Sequence, residues 1–279
     1  MAGREWLVFE QEIRGISLYL NVFTWKVTLM SSILQEKVAL VTGAGSGIGR
    51  AVAIQYAAEG ARVVVSDINK AGADATVDAI RQAGGTAIAV LADTSLPADN
   101  KALVAATLKE YGALHIACNN AGVGAPPADV GDYEIANWDK VIGINLSGVF
   151  YGMRYQLPAL LASGGGAIVN MASILGQVAT AQNSAYVAAK HGVVGLSKAA
   201  AVEYATRGIR VNAVGPGYID TPLLQKMPDE ARAPLVAQHP IGRLGKPEEV
   251  AELVVWLSSD KASFVTASYY AVDGGLLAR

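Results

Sequence analysis

The sequence predicts an α/β fold, a doubly wound parallel sheet of about seven strands with helices on both faces. Three observations carry that expectation. From Lys37 onward, short apolar runs alternate with helical stretches, the pattern of parallel strands joined by right-handed crossovers. A glycine cluster, Gly43-Ala44-Gly45-Ser46-Gly47-Ile48-Gly49, stands between the first run and its helix. Polar residues gather at the carboxyl ends of the strands, where ligands bind in such sheets.

Each element has its own reason. KVALVT reads as the first strand and the residues after the glycine cluster as a helix closing near Gly60. RVVVSD is the second strand, ending at Asp67; a helix over about 70–83 precedes the third, TAIAVLAD. A helix over about 97–110 leads to the fourth strand, LHIACNN, and helices near 134–162 lead through Gly164–Gly166 to the fifth, AIVNMAS. A long helix carrying Tyr186 feeds the sixth strand, IRVNAVGPG. A proline-punctuated stretch, the helix PEEVAELVVWLSS and the strand SYYAVDGG close the chain. No repeat or linker interrupts this order, so residues 30–279 are expected to form one domain. Residues 1–29 stand apart: ISLYLNVFTWKVTL is β-branched and aromatic, and lacks the basic start and clean apolar core of a secretory signal. An arm packing on a neighbouring subunit and a non-native leader ahead of Met30 are both open readings.

Composition narrows the function classes. The chain has 279 residues, 52% hydrophobic and 16% charged, with a formal net charge of −2. That balance gives no footprint for nucleic acid. No run approaches the roughly 18 apolar residues of a membrane span. The single cysteine, Cys118, cannot form an intrachain disulfide, which fits a reducing, cytoplasmic setting. His115, His191 and His239 match no zinc spacing, so no metal is expected. Trp138 and Trp256 read as packing residues.

The chemistry is expected around Tyr186 and Lys190, four residues apart on one helical face. No other lysine has a tyrosine at that spacing. An ammonium within a few ångströms lowers a phenol by about 1–3 units, toward the range of a general base. Ser173, ending an apolar run, could donate to the same substrate oxygen. The competing reading is an ordinary surface pair. In the glycine cluster, Gly43, Ser46, Gly47, Ile48 and Gly49 are expected to let a pyrophosphate approach a helix N-terminus. Asp67, with Ile68 beside it, would accept from ribose hydroxyls and repel an added phosphate, which favours NAD over NADP. Asp93 and Thr94 end the third strand, and Asn119, Ala121 and Gly122 end the fourth. Asp93 is equally readable as a helix cap or turn residue. Asn145 reads by itself as a satisfied buried amide or a helix bend.

Taken together, TGAGSGIG (42–49), NNAG (119–122), Asn145, Ser173, YVAAK (186–190) and PGYIDT (216–221) resemble the short-chain dehydrogenase/reductase family, over about Leu34 to Leu277. The resemblance implies a Rossmann-type fold. It implies that Tyr186 exchanges the substrate proton, that Lys190 lowers its pKa and holds the nicotinamide ribose, and that Ser173 polarises the substrate oxygen. Asn145 would anchor a proton-relaying water, replacing the buried-amide reading. Pro216, Gly217, Ile219 and Thr221 would cover the nicotinamide. It also implies a homotetramer built through the helices around 145–162 and 184–206.

The resemblance further implies substrate contacts from the loop after NNAG, the stretch after the serine and the segment after PG. Ile174, Leu175, Val178, Tyr218, Leu223, Leu224 and Met227 suggest an apolar pocket for a small to medium, alicyclic secondary alcohol or its ketone. A soft similarity to the family's cyclic-alcohol dehydrogenases points the same way. The rival within the family is a 3-oxoacyl-(acyl-carrier-protein) reductase using NADPH. Against it, Tyr155–Ala172 has no lysine or arginine to meet an acidic carrier, and Asp67 opposes NADPH. A rival of another class, a non-catalytic cofactor-binding regulator, would be expected to have lost part of the catalytic set.

Overall fold

In the computed structural model, which describes residues 32–225 and 227–278, seven parallel strands lie in the order β3-β2-β1-β4-β5-β6-β7. The strands are β1 Val38–Thr42, β2 Arg62–Asp67, β3 Thr86–Leu91, β4 Ile116–Asn119, β5 Gly166–Met171, β6 Ile209–Pro216 and β7 Tyr269–Val272. The expected N-terminal extension, residues 1–29, lies outside the described residues.

Central strands buried on both faces need unbroken apolar sequence. Accordingly, every residue of VALVT in β1 is buried, and so are all four of β4. The helices then divide between the faces. On one side pack α1 Gly47–Ala58 and α2 Lys70–Gln82, together with the helix Pro247–Ser258. Alanines 51, 53 and 57 bring α1 close to that C-terminal helix, and the Tyr56 hydroxyl lies 2.7 Å from Ser258 Oγ. On the other side pack α3 Pro97–Tyr111, α5 Gly148–Ala162 and α6 Ser184–Tyr204, through residues such as Leu103, Leu160 and Val193. Each large apolar side chain buried this way contributes about 1.5–3 kcal/mol.

The α4 helix, Ile135–Ile142, does not run straight into α5. Between them Gly143–Ser147 form a π-helical turn, placing Asn145 where an extra residue widens the helix. Beyond β6, α7 Pro222–Gln225 and α8 Asp229–Ala237 occupy the proline-punctuated stretch, and the helix Pro247–Ser258 becomes α9.

Two sequence expectations are corrected. Trp138 is 40% exposed and Trp256 36%, so both lie largely at the surface and not in the core. Strand β3 ends at Leu91, before Asp93, because the chain leaves the ladder there to reach the cleft.

The chain moves outward from β1 to β3, then returns to the other side of β1 as β4. This reversal opens a crevice beyond the carboxyl ends of β1 and β4.

Candidate active site

The crevice holds a cleft of about 370 Å³, lined by residues from six chain segments, among them Gly43, Gly47, Asp67, Thr94, Gly122 and Thr221. Its floor is the turn between β1 and α1. Gly43 has φ +61°, and a Cβ there would fall 2.8 Å from the Ala121 Cα. At Gly49 a Cβ would fall 2.2 Å from the Gly43 carbonyl oxygen. Only glycine lets the turn close this tightly against the exit of β4. Ser46, Gly47 and Ile48 bring the N-terminus of α1 to the cleft wall, where unpaired amides favour an anion.

At one end of the cleft stands Asp67. Its two carboxylate oxygens accept from the Gly45 and Asn69 amides, each at 2.8 Å. These bonds fix the carboxylate and leave further acceptor capacity on each oxygen. Ile68 beside it is 69% exposed, an apolar surface at the mouth. Asp93 satisfies both of its readings: Oδ1 accepts from Ser95 N and Oγ at 2.9 and 2.7 Å, and the residue also lines the cleft. Glycine floor, helix N-terminus, fixed carboxylate and apolar mouth together fit a dinucleotide.

Among the cofactor expectations at the strand exits, the Asn119 side chain stands apart. Its side chain turns inward, donating to Gln156 Oε1 at 3.0 Å and Asn170 Oδ1 at 2.9 Å. Asn170 in turn donates to Ser197 Oγ at 2.9 Å, so β4, α5, β5 and α6 share one buried polar network. Successive strand residues face opposite ways. It is therefore Asn120 that lines the cleft, donating from Nδ2 to the Thr42 and Gly43 carbonyls at 3.0 and 3.1 Å.

The catalytic candidates converge where this wall meets α6. Lys190 is 3% exposed, and its Nζ donates to the Met171 carbonyl at 2.7 Å and lies 5.4 Å from the Tyr186 ring centre. A Cβ at Gly122 would lie 3.3 Å from Asn145 Oδ1 and 3.6 Å from Lys190 Nζ, so the three residues meet at one point. Asn145 is fully buried; Oδ1 accepts from Val123 N and Nδ2 donates to Val123 O, both at 2.8 Å. The buried-amide and helix-bend readings of this residue both describe its geometry. Ser173 caps a short 3₁₀ turn, Ile174–Gly176, and its Oγ accepts from Leu175 N at 3.2 Å.

The electrostatics differ from the expectation drawn from spacing. Burial pushes the Tyr186 phenol up, and the hydrogen bond with Ser173 opposes that shift. Burial also pulls the Lys190 ammonium down, to about 8. Desolvation disfavours whichever form is charged, so here it outweighs the attraction that was expected to lower the phenol.

The segment after β6 divides. Thr221 reaches the cleft beside Gly47. Ile219 is buried, and its side chain lines a separate cavity of about 300 Å³ with His239 and Arg243, leaving only its backbone for the cleft side. Pro216 and Gly217 are held at the end of the sheet, Gly217 donating to the Val272 carbonyl at 3.0 Å. Tyr218 N donates to His239 Nε2 at 3.2 Å, and the two rings meet edge to face. Of the substrate expectations, Ile174 and Leu175 are buried at 4% and 9%, whereas Val178 is 42% exposed. Leu224 and Met227 are half-buried; the Leu223 side chain lies outside the described residues. The apolar cluster around Tyr186 contains Val123, Ala125, Tyr133 and Leu146, none of them singled out from the sequence. Val123 and Ala125 belong to the loop after NNAG, so the loop was legible where the residues were not.

Among the described residues, no group of three or more His, Cys, Asp or Glu side chains could hold a metal ion, and no helix is long and apolar enough to cross a membrane.

Comparison with known proteins gives a consistent picture. A family profile described as enoyl-(acyl carrier protein) reductase matches residues 43–277. A cyclohexanol dehydrogenase from an Acinetobacter species is 54% identical over 246 residues, covering 88% of this chain and 97% of the relative. A cis-4-hydroxycyclohexanecarboxylate dehydrogenase from Sinomonas cyclohexanicum is 47% identical, covering 89% and 100%. The crystal structure of levodione reductase superposes with a TM-score of 0.85 at 38% identity, covering 88% and 99%.

Proposed function

The chain belongs to the short-chain dehydrogenase/reductase family, and on that premise we propose that it moves hydride between NAD and a small to medium secondary alcohol or ketone, with an alicyclic substrate. The observation that carries this reading is the meeting of Tyr186, Lys190, Asn145 and Gly122, the last of which lines the cleft. The names of the two relatives, both acting on ring alcohols, support the substrate class.

The nicotinamide, when bound, supplies the hydride chemistry. The protein supplies position and protons. Tyr186 Oη takes the alcohol proton in oxidation and returns it in reduction. Ser173 Oγ holds the substrate oxygen, and as a polar neighbour of Tyr186 it favours the phenolate against burial. Lys190 stands beneath the ring and holds the ribose. Asn145, in the π-helical turn, would anchor a water that relays protons from Lys190 to solvent. Because burial favours the protonated phenol, oxidation is expected to quicken as pH rises and reduction to hold at neutral pH.

Asp67 supports the preference for NAD. Its fixed carboxylate would face the 2′-phosphate of NADP, and the two charges repel. The described residues contain no membrane-spanning helix, and a cytoplasmic setting is part of the same proposal. So is a homotetramer paired through α5 and α6.

The test follows reduced-cofactor absorbance while NAD or NADP is offered with cyclic and linear secondary alcohols at alkaline pH. A parallel arm offers NADPH with an acetoacetyl thioester, because the matching family profile is named for carrier-protein chemistry. The expected result is ring-alcohol oxidation with NAD preferred. Faster thioester reduction with NADPH would replace this reading with the carrier-protein one. Tyr186→Phe should keep cofactor binding and lose about a hundredfold or more in turnover; unchanged turnover would remove it from the chemistry.

A further inference from the structure

Ser173 carries its hydroxyl on a residue that has already left the sheet, immediately before a 3₁₀ segment that it caps. Such a residue needs anchors, since a misplacement of about 1 Å can cost about a hundredfold in rate. Its neighbour Ala172 donates to the Val214 carbonyl at 2.7 Å, and the Ser173 carbonyl accepts from Gly176 N at 2.9 Å. The second of these is local and travels with the turn. A third bond comes from far away: Tyr269 Oη donates to the same carbonyl at 3.0 Å.

Tyr269 opens β7, the edge strand, and pairs with Ala213 of β6. To reach the end of β5 its phenol must cross β6. It does so over Gly215, where a Cβ would lie 1.9 Å from the Tyr269 oxygen and 2.2 Å from Cζ. A side chain at position 215 and the phenol cannot share this space. Burial holds the Tyr269 hydroxyl near 12, with Asp273 adding to the shift, so it remains a proton donor throughout the alkaline range of alcohol oxidation.

We propose that Tyr269 is a positioning residue for Ser173, passing through the notch at Gly215 to clamp the carbonyl of the residue that polarises the substrate. The inference rests on the role given to Ser173 above. Tyr269 acts through the backbone of Ser173, and through that on the Ser173 hydroxyl, which opposes the effect of burial on the Tyr186 phenol.

Tyr269→Phe deletes the hydroxyl and keeps the ring. The expected result is a fall in kcat of about three- to tenfold, with KM for the alcohol within about twofold and melting temperature nearly unchanged. The rising limb of the oxidation profile should move to higher pH, because a loosened Ser173 no longer opposes the effect of burial on the Tyr186 phenol. Gly215→Ala, which drives the phenol out of the notch, should give the same kinetic signature. A readout independent of turnover is the titration of the Tyr186 ring, followed by NMR with tyrosine labelled at Cζ and assigned through Tyr186→Phe. A higher titration midpoint in Tyr269→Phe supports the clamp. Coincident titrations in wild type and variant overturn it, and so does an unchanged kcat, or a loss that follows melting temperature alone. If the wild type oxidises no secondary alcohol with either cofactor, the functional reading fails by itself, and the NMR titration alone decides the fate of the clamp.

Discussion

At the scale of single residues, Lys190 shows how position and energy come apart. The spacing from Tyr186 was readable from the sequence, because helix geometry fixes it. The direction of the electrostatics was not, because burial depends on what α6 packs against. Gly176 lies so near that a Cβ on it would meet the Lys190 carbonyl oxygen at 2.9 Å, and the lysine is sealed at 3% exposure. The ammonium is therefore disfavoured in the fold and unpenalised in the unfolded chain. That cost is fully present below about pH 8 and fades as pH rises from there toward the ordinary lysine value of 10.5. The displacement bounds it at about 3 kcal/mol. Lys190→Met should abolish turnover and, at neutral pH, raise the melting temperature by about 2–4 °C, part of the gain being lost with the bond to Met171. Melting curves across pH check the sign: the advantage of the variant must shrink above about pH 8. Asn119 makes a second point at this scale. Strand alternation alone says that Asn119 and Asn120 cannot both face the cleft, and that signal was present in the sequence.

Elements were more legible than residues. Each apolar run bounded by turn residues became a strand; β1 and β2 end where expected, at Thr42 and Asp67, whereas β3, β4 and β5 stop short of the expected ends, at Leu91, Asn119 and Met171. The π-helical turn at Gly143–Ser147 was not legible, because one widened hydrogen-bonded ring leaves no periodicity to read. Helices α5 and α6 also present apolar side chains outward, Phe150 at 48% and Val202 at 76% exposure. If these helices pair with their symmetry mates in the proposed homotetramer, light scattering at micromolar concentration should give four times the chain mass. Phe150→Glu or Val202→Glu should lower it, and a monomeric wild type would contradict the assembly.

Over the whole molecule, the order β3-β2-β1-β4-β5-β6-β7 puts the reversal of chain direction beside β1 and β4, and the glycine turn, Asp67 and the polar exits of the strands follow from it. That much was legible because parallel sheets place their ligands by topology. The substrate side was not, because the residues that surround Tyr186 come from loops and the π-helical turn, where packing decides which side chains turn inward.

Cys118 lies in β4 at the middle of this sheet, 1% exposed, its thiol pushed up to about 12 by burial. A disulfide reagent in solution can reach it only when the sheet opens, so the labelling rate is a clock for opening in the absence of denaturant. Native protein should label at least about a thousandfold more slowly than free cysteine. Any molecule that binds only the closed form should stretch the interval further, by a factor of one plus its concentration over Kd. The single sulfur would then rank NAD against NADP, and one ring alcohol against another, by affinity alone, without a turnover.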